Sequence, residues 1–275
     1  MNLYKGMDIG TAKPSFDHRK KVDYAGVDLA RPTEKFSVAN YLEAVKPTFT
    51  SGREIIVSGG TGLYVKCLTE GFDDVSPENS ALRTELEMLD FQALEKRAQK
   101  KAEELYSRLT PDDRQNPRRL IRILERTAAI LAAPSGQAGC LRYGVWNSKP
   151  KPTLVGLHIE REVLHKRIEG RVEQMYASGL LEEAAGLMKL DLSPTALQAI
   201  GYAEAFAVLE NKITEKQARE RTVIRTRQFA KRQMTWFRNQ LNVEWIDTAG
   251  FQSLENLAEA VSSAWGKIGA TPVNI

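Results

Sequence analysis

The chain has 275 residues, 42% of them hydrophobic, which is enough to bury the core of one large domain or two modest ones. No apolar run reaches the roughly 18 residues of a membrane-spanning helix, and the first residues lack the pattern of a secretory signal. These features argue against the membrane-spanning and secreted classes, and we expect a cytoplasmic protein with no membrane partner.

The net charge of +4 is unevenly distributed along the chain. Residues 219–238 contain seven Arg or Lys and one Glu, and residues 114–126 contain five Arg and one Glu. Together these segments carry +10, which leaves −6 for the rest of the protein. Because Arg and Lys are the main ligands of backbone phosphates, this segregation favours a face that binds nucleic acid. Two solvated helix faces are the alternative.

The sequence shows no pattern typical of a metal centre or a disulfide framework. Cys67 and Cys140 lie far apart, without a His or Cys at ligand spacing. His18, His158 and His165 also form no usable ligand pair. We expect two packed thiols and neither a histidine-based metal site nor a histidine nucleophile.

Three short apolar runs predict β-strands. They are Glu54–Ser58, Thr153–Ile159 and Val243–Asp247. The first run precedes the glycine turn Gly59–Gly62 and a helical pattern, which is the strand, turn and helix order of α/β proteins. Helices are predicted after the other two runs, over about Arg161–Tyr176 and near Ser253–Trp265. The order of elements predicts an α/β core with a parallel sheet.

A long charged stretch between the first two predicted strands has helical periodicity and no strand pattern. Its predicted helices are Ser80–Leu89, Phe91–Leu109 and Pro117–Leu131. We therefore predict a helical insertion domain at residues 72–145, which ends after the loop Ala133–Gly139. The α/β core would then comprise residues 1–71 and residues 146–275, and the second part would carry the basic helices.

The basic segment is predicted to lie on one long helix, because Thr214 and Gln217 fit a capping box at its start. Four residues at spacings of three and four would form one polar stripe along it: Arg221, Arg225, Gln228 and Arg232. Three aromatic residues interleave with that stripe: Phe229, Trp236 and Phe237. Arginine matches phosphate oxygens and aromatic rings stack on bases, whereas core packing is the alternative for the aromatics. A membrane-surface helix would need more apolar positions.

The glycine turn Gly59–Gly62 has two interpretations. Its backbone N–H groups could meet an anion at the start of the following helix. The sequence contains neither the G-x-x-x-x-G-K-[ST] phosphate loop nor a full G-x-G-x-x-G motif. A tight turn without a ligand is therefore at least as consistent with these residues.

Five motifs occur in one order along most of the chain. They are LYKGMDIGTAKP (Leu3–Pro14), SGGTGLY (Ser58–Tyr64), RRLIRILE (Arg118–Glu125), AIGY (Ala199–Tyr202) and TRQFAKRQMTWFR (Thr226–Arg238). Together, and at these separations, they resemble the bacterial tRNA dimethylallyltransferases. The resemblance implies a P-loop-NTPase-like parallel-sheet core with an inserted helical domain and a helix-rich C-terminal part.

The resemblance also implies the reaction and its partners. A dimethylallyl group would move from dimethylallyl diphosphate to N6 of the adenosine directly 3′ of the anticodon. The target base would leave its stack and enter a channel, while a basic surface grips the anticodon stem-loop of the tRNA. Mg²⁺ is the implied cofactor, and we expect a monomer. A tRNA-binding remnant without catalysis is the alternative, and transfer to a free adenine nucleotide is disfavoured.

Site residues are carried over from the family by matching positions. The implied tRNA contacts are Thr61, Arg83, Arg118, Arg119, Leu120, Ile121, Arg122, Gln198, Gly201, Tyr202, Lys231, Arg232, Gln233, Thr235, Trp236 and Arg238. The catalytic candidates are Thr61 and Arg171. Arg171 matches an arginine at the reaction centre, where it could neutralise charge on the departing diphosphate. A salt-bridged helix arginine is the alternative for this residue.

One part of the family pattern would lie before Met1. The family begins with a strand, an ATP-type phosphate loop that ends in Gly-Lys-Thr or Gly-Lys-Ser, and an Asp-Ser dipeptide whose Asp is the general base. Neither Asp8 nor Asp28 matches that base, and Asn2 stands where the family usually has Gln. A start codon farther upstream is favoured over a gene that has lost its beginning. Without a central strand we expect exposed sheet edges, and hence a poorly stable and inactive 275-residue chain.

Overall fold

Helices predominate in the described part of the chain, which comprises residues 1–71, 79–132, 153–271 and 273 of a computed structural model. The chain divides into two compact units. The core unit contains Met1–Glu70 and Pro150–Ile275, and the helical unit contains Gly71–Lys149. The core unit is therefore built from two separate stretches of sequence.

The elements follow one another in chain order. The first stretch of the core unit contains α1 (Phe16–Lys21), α2 (Val38–Phe49) and α3 (Gly62–Glu70). The helical unit contains α4 (Ser80–Glu87), α5 (Phe91–Lys101), α6 (Glu103–Ser107), α7 (Pro111–Arg114) and α8 (Pro117–Ala132). The second stretch of the core unit contains β1 (Thr153–His158), α9 (Arg161–Ala177), α10 (Leu180–Leu187), α11 (Pro194–Leu197), α12 (Tyr202–Leu209), α13 (Glu215–Gln240), β2 (Asn242–Asp247) and α14 (Leu254–Ile268).

The strands β1 and β2 pair in parallel, with Thr153 opposite Asn242 and His158 opposite Asp247. Parallel neighbours need a long crossover connection, and helices α9 to α13 provide it. The two strands, and the helices α9 and α14 that follow them, confirm the sequence prediction for this part of the chain. The α/β class of the fold is confirmed as well.

The strand predicted at Glu54–Ser58 is wrong. These residues have no regular secondary structure, and the side chains of Ile56 and Val57 are 72% and 47% exposed. A strand is held by hydrogen bonds to a neighbouring strand, and no described residue pairs with this segment. The helix predicted after the glycine turn does form, as α3.

The core unit has one apolar cluster that both stretches share. Leu3, Tyr4 and Met7 from the start of the chain are buried in it, together with residues of α9, α10 and α12. Because apolar residues recur every four positions on α9, at Ile168 and Val172, that helix presents a continuous apolar face. The first residues of the chain are thereby fixed beside the helices of the second stretch.

The helical unit has its own apolar cluster, between α5 and α8. Its fully buried members include Leu86, Leu94 and Leu120. The single helix predicted over Phe91–Leu109 is wrong, because Ala102 leaves the helical conformation (φ −128°, ψ 38°) and separates α5 from α6. The break lets the following residues turn back and pack on the same cluster. The loop predicted at 133–139 lies outside the described residues.

None of the described helices combines the length and the apolar character that crossing a membrane would require.

Candidate functional site

The outward face of α13 carries the exposed part of the basic segment. The helix begins at the predicted capping box. The Thr214 hydroxyl accepts a hydrogen bond from the backbone N–H of Gln217, and the side-chain oxygen of Gln217 accepts one from the backbone N–H of Thr214. The exposed polar residues of this face are Arg221, Gln228, Lys231, Arg232, Thr235 and Arg238. Four of the residues predicted to contact tRNA therefore lie on a solvent-facing surface of one helix.

Other arginines of the basic segment are paired with carboxylates of the core unit. Arg219 lies 2.5 Å from Glu173 and stacks on the Tyr176 ring at 4.6 Å. Arg227 forms an ion pair with Glu169. These pairs fix α13 against α9, so part of the positive charge serves the packing of the two helices.

Arg225 departs from the predicted polar stripe. Its guanidinium forms an ion pair with Glu204, whose side chain is only 6% exposed, and donates a hydrogen bond of 3.1 Å to the carbonyl of Gln198. The same Glu204 accepts from the backbone N–H of Gly201 at 2.8 Å. A carboxylate this buried needs a cationic partner, which explains why Arg225 turns away from Arg221 and Arg232. Arg225 is therefore the member of the predicted polar stripe that serves packing.

The inward face of α13 holds the glycine turn. The side-chain amide of Gln233 donates a 2.7 Å hydrogen bond to the carbonyl of Gly60, and the Trp236 ring lies against Gly62. Thr61, between those two glycines, is exposed, and its carbonyl accepts from the N–H of Tyr64 at 3.0 Å. The structure thus brings Thr61, Gln233 and Trp236 together.

Tyr202 is completely buried. Its hydroxyl donates a hydrogen bond to Glu183 and accepts one of 3.2 Å from the backbone N–H of Gly10. Burial, followed by the hydrogen bond and the negative charge of Glu183, raises the pKa of Tyr202, which stays a neutral donor. The side chain has no exposed surface for RNA, so its predicted contact would act through the loop that it supports.

Glu183 joins two motifs that are far apart in sequence. Besides Tyr202, its carboxylate accepts from the backbone N–H groups of Asp8 and Ile9, both at 3.1 Å. The segment from Asp8 to Gly10 is thereby tied to the loop that begins at Gln198. Gly10 has no room for a side chain, because a Cβ there would lie closer than 3.0 Å to the Tyr202 ring.

A buried lysine organises the acidic residues near the start of the chain. The Lys13 side chain is 1% exposed; its ammonium donates at 2.7 Å to both the Tyr4 carbonyl and Asp28, and also to Asp8. Burial alone would raise the pKa of Asp28, but the hydrogen bonds and charges of Lys13 and Arg19 outweigh it and lower that pKa. Asp8 and Asp28 are thus both ion-pair partners of Lys13.

In the helical unit, the predicted contact residues divide between surface and core. Arg118 and Arg119 are exposed, whereas Leu120 and Ile121 are 0% and 6% exposed and belong to the apolar cluster. Arg83 and Arg122 share one buried carboxylate and lie 3.0 Å from it. That carboxylate is the one of Glu125, which is 1% exposed. Any contact of this segment with RNA therefore falls to the arginines.

Arg171 lies on the exposed side of α9, next to the buried Val172. No ion pair in the described part of the chain involves it. The ion pairs between α9 and α13 are made instead by Glu169 and Glu173, two residues to either side. Arg171 is thus the charged residue of this stretch whose guanidinium is not used for packing.

The described residues contain no group of three or more His, Cys, Asp or Glu that could hold a metal ion. Mg²⁺ is usually held by one or two carboxylates together with waters and substrate phosphates, so no such cluster is needed for the Mg²⁺ that the resemblance implies. Cys67 is buried in α3, as expected for a packed thiol, and Cys140 lies outside the described residues.

Residues 2–240 match the protein-family model described as IPP transferase. The chain belongs to the IPP transferase family. A curated relative is the tRNA dimethylallyltransferase of Geobacillus kaustophilus (strain HTA426), which is 36% identical over 265 residues. The matched region covers 90% of this chain and 80% of that protein.

Solved structures of the family have the same fold. The full-length tRNA isopentenylpyrophosphate transferase of Bacillus halodurans matches with a TM-score of 0.65 and 32% identity, over 97% of this chain and 85% of its own. A eukaryotic dimethylallyltransferase acting on tRNA matches with a TM-score of 0.71 over 100% of this chain and 73% of its own. At 20% identity, that second likeness concerns the fold alone.

Sequence reasoning missed two carboxylates of this IPP transferase, Glu183 and Glu204. Glu204 could have been noticed, because it stands three residues after Gly201 at the start of a helix, where a carboxylate caps backbone N–H groups. Glu183 carries no such pattern, because its partners lie 174 and 175 residues away.

Proposed function

We propose that this chain transfers a dimethylallyl group from dimethylallyl diphosphate to N6 of the adenosine directly 3′ of the anticodon in tRNA. The observation that carries the proposal is the two-sided helix α13, with exposed cations outside and the glycine turn of Thr61 inside. Relatives named tRNA dimethylallyltransferase support the same reaction.

The outer face of α13 would bind the anticodon stem-loop through its phosphates. Lys231, Arg232 and Arg238 are exposed on that face, and Thr235 adds a hydroxyl between them. Each phosphate that such a cation neutralises releases condensed counterions, so affinity should fall steeply with salt. The exposed Arg118 and Arg119 of the helical unit are proposed as further phosphate contacts.

The reaction forms a bond between N6 of the adenosine and C1 of the dimethylallyl group. The bond between C1 and the diphosphate oxygen breaks, diphosphate leaves with the bonding electron pair, and N6 loses a proton, which is released to solvent water. Arg171 is proposed to stabilise the charge that develops on the departing diphosphate. The Thr61 hydroxyl would orient a reacting group by hydrogen bonding.

We further propose a monomeric enzyme of the cytoplasm that acts on no membrane-bound partner. Mg²⁺ would enter together with the diphosphate, whose oxygens, with bound waters, would supply most of its ligands. We also propose nucleotide-type phosphate binding on the side of the enzyme that takes up the diphosphate, as the resemblance implies.

The test is a transfer assay with labelled dimethylallyl diphosphate, followed by mass spectrometry of the digested tRNA. It uses the 275-residue chain and the product of the same reading frame extended through in-frame codons before Met1. Dimethylallylated adenosine next to the anticodon from either form supports the proposal. Salt-dependent tRNA binding without transfer or diphosphate binding supports the inactive remnant instead. Transfer to AMP at a rate equal to that on tRNA would contradict the acceptor assignment.

A further inference from the structure

The side chains of α13 that hold the glycine turn lie on one face of the helix. Gln233, Trp236 and Gln240 follow at spacings of three and four, which places them on the same side. Their partners on the other segment, Gly60, Gly62 and Lys66, also follow in order. The contact is therefore a continuous seam between α13 and the turn with its helix α3.

The seam leaves no space for a side chain at two of the glycines, Gly60 and Gly62. A Cβ on Gly60 would lie closer than 3.0 Å to the Gln233 amide, and one on Gly62 would overlap the Trp236 ring. A Cβ on Gly59, in contrast, would have no other atom within 4 Å, and the Gly59 backbone is not left-handed. Packing against α13 thus explains why Gly60 and Gly62 have no side chain, but it does not explain the glycine at position 59.

Thr61 is fixed from both sides by this seam. The carbonyl of the residue before it accepts from Gln233, and the residue after it lies under Trp236. Its own carbonyl accepts from the N–H groups of Tyr64 and Val65, at 3.0 and 3.3 Å, which ties it to the start of α3. The exposed residue Thr61 is therefore carried on a backbone whose position depends on α13.

We infer that Gln233 and Trp236 are positioning residues: they set the location of Thr61 in the reaction site instead of contacting tRNA. This inference rests on the proposed function and deepens it. Their neighbours Arg232 and Thr235 are exposed on α13 and would contact the RNA. Adjacent residues of one motif would then act on different steps, binding for Arg232 and transfer for Gln233.

The kinetic test compares Gln233→Met with Arg232→Met in the form of the protein that transfers. Gln233→Met keeps the length of the side chain and removes the donor, and we expect kcat to fall at least about tenfold, because small misplacements at a reaction centre are costly. The Kd for tRNA should stay within about twofold. Arg232→Met should do the reverse, raising that Kd severalfold and lowering its salt dependence by about 0.7–0.9 in the log–log slope.

A second measurement needs no catalysis and separates this inference from the proposed function. Amide hydrogen exchange of residues 61–65 should accelerate in Gln233→Met and stay at the wild-type rate in Arg232→Met. If the wild type transfers nothing, the proposed function fails, and the exchange rates still decide whether Gln233 holds the turn. If Gln233→Met does not fold, Trp236→Phe takes its place with the same expectations.

Two outcomes would overturn the inference. One is a raised Kd with an unchanged kcat in Gln233→Met, which would make Gln233 a tRNA contact. The other is wild-type kcat and wild-type exchange in that variant, which would show that the turn is held without it. Gly59→Ala provides the control for the turn itself: wild-type exchange at residues 61–65 is expected, and acceleration equal to that of Gln233→Met would also contradict the seam.

Discussion

The hydroxyl of Tyr202 donates a hydrogen bond to Glu183, and the same carboxylate accepts from the backbone N–H groups of Asp8 and Ile9. One acidic side chain therefore connects the start of the chain with the start of α12. Tyr202 is buried and Ile9 is half-buried, so the connection contributes to both the stability of the core unit and the shape of the loop before Tyr202.

Replacing Tyr202 by Phe should destabilise the protein by about 1–3 kcal/mol, because Glu183 and the Gly10 N–H each lose a hydrogen-bond partner at a partly buried site. Urea unfolding measures the change. Tyr41→Phe is the matched control, since the Tyr41 hydroxyl has no hydrogen bond within the described residues and its ring stacks on Tyr64. Equal losses in the two variants would show that the hydroxyl of Tyr202 adds nothing beyond its ring.

Removing Arg225 should be costly, because it leaves the buried Glu204 without its cation. Loss of one partner from a fully buried pair costs roughly 3–5 kcal/mol, and the 38% exposure of the Arg225 side chain lowers our expectation to about 2–4 kcal/mol. Arg221→Ala, one helical turn earlier, removes the same charge from an exposed site and should stay within about 0.5 kcal/mol.

Arg221→Ala and Arg225→Ala should also differ in the salt dependence of tRNA binding, measured at a temperature where both variants are folded. Arg221→Ala should reduce the salt dependence of binding if its charge meets a phosphate. A stability loss in Arg221→Ala as large as that in Arg225→Ala would contradict the division of α13 into paired and exposed cations.

Asp28 should make stability depend on pH in the acid range. Because its pKa is lowered in the folded state, its contribution is present above the pKa of the unfolded chain and is lost as the pH falls through the folded value. The free-energy difference between wild type and Asp28→Asn should therefore be largest near neutral pH and shrink below about pH 4. Asparagine tolerates the positive φ of 55° at this position. A difference that stays constant down to about pH 3, below the usual pKa of an aspartate, would contradict the charge pairing with Lys13 and Arg19.

Arg171→Gln should reduce kcat by about 10²–10³-fold, the cost of losing one preorganised group that stabilises charge at a reaction centre. Stability should hardly change, since no ion pair of the described residues depends on Arg171. Arg167→Gln, at an exposed site one turn earlier on α9, is the control and should keep the wild-type kcat. Equal kinetics for the two variants would make Arg171 a surface residue.

Local patterns were sufficient where an element depends on its own residues. The capping box at Thr214 and the apolar runs of β1 and β2 predicted those elements correctly, because helix caps and buried strands leave a signal within a few positions. The run Glu54–Ser58 has the same composition but no partner strand among the described residues, and composition cannot report the partner.

The candidate site was less accessible to prediction, because its contacts join distant segments. Arg225 meets Glu204 across 21 residues, and Gln233 meets Gly60 across 173. Periodicity placed both residues on α13, but it could not show which of them face the protein. The family resemblance indicated which residues belong to the candidate site, and the structure shows which of them contact the protein and which are exposed.

The two faces of α13 impose a strict condition on the length of this helix. Each residue advances an α-helix by about 100° of rotation, since a turn takes about 3.6 residues. An insertion or deletion of one residue between Arg225 and Gln233 would therefore rotate all later side chains by about 100° and move Trp236 away from Gly62. We therefore expect length changes in this family to be confined to the connections outside the helix.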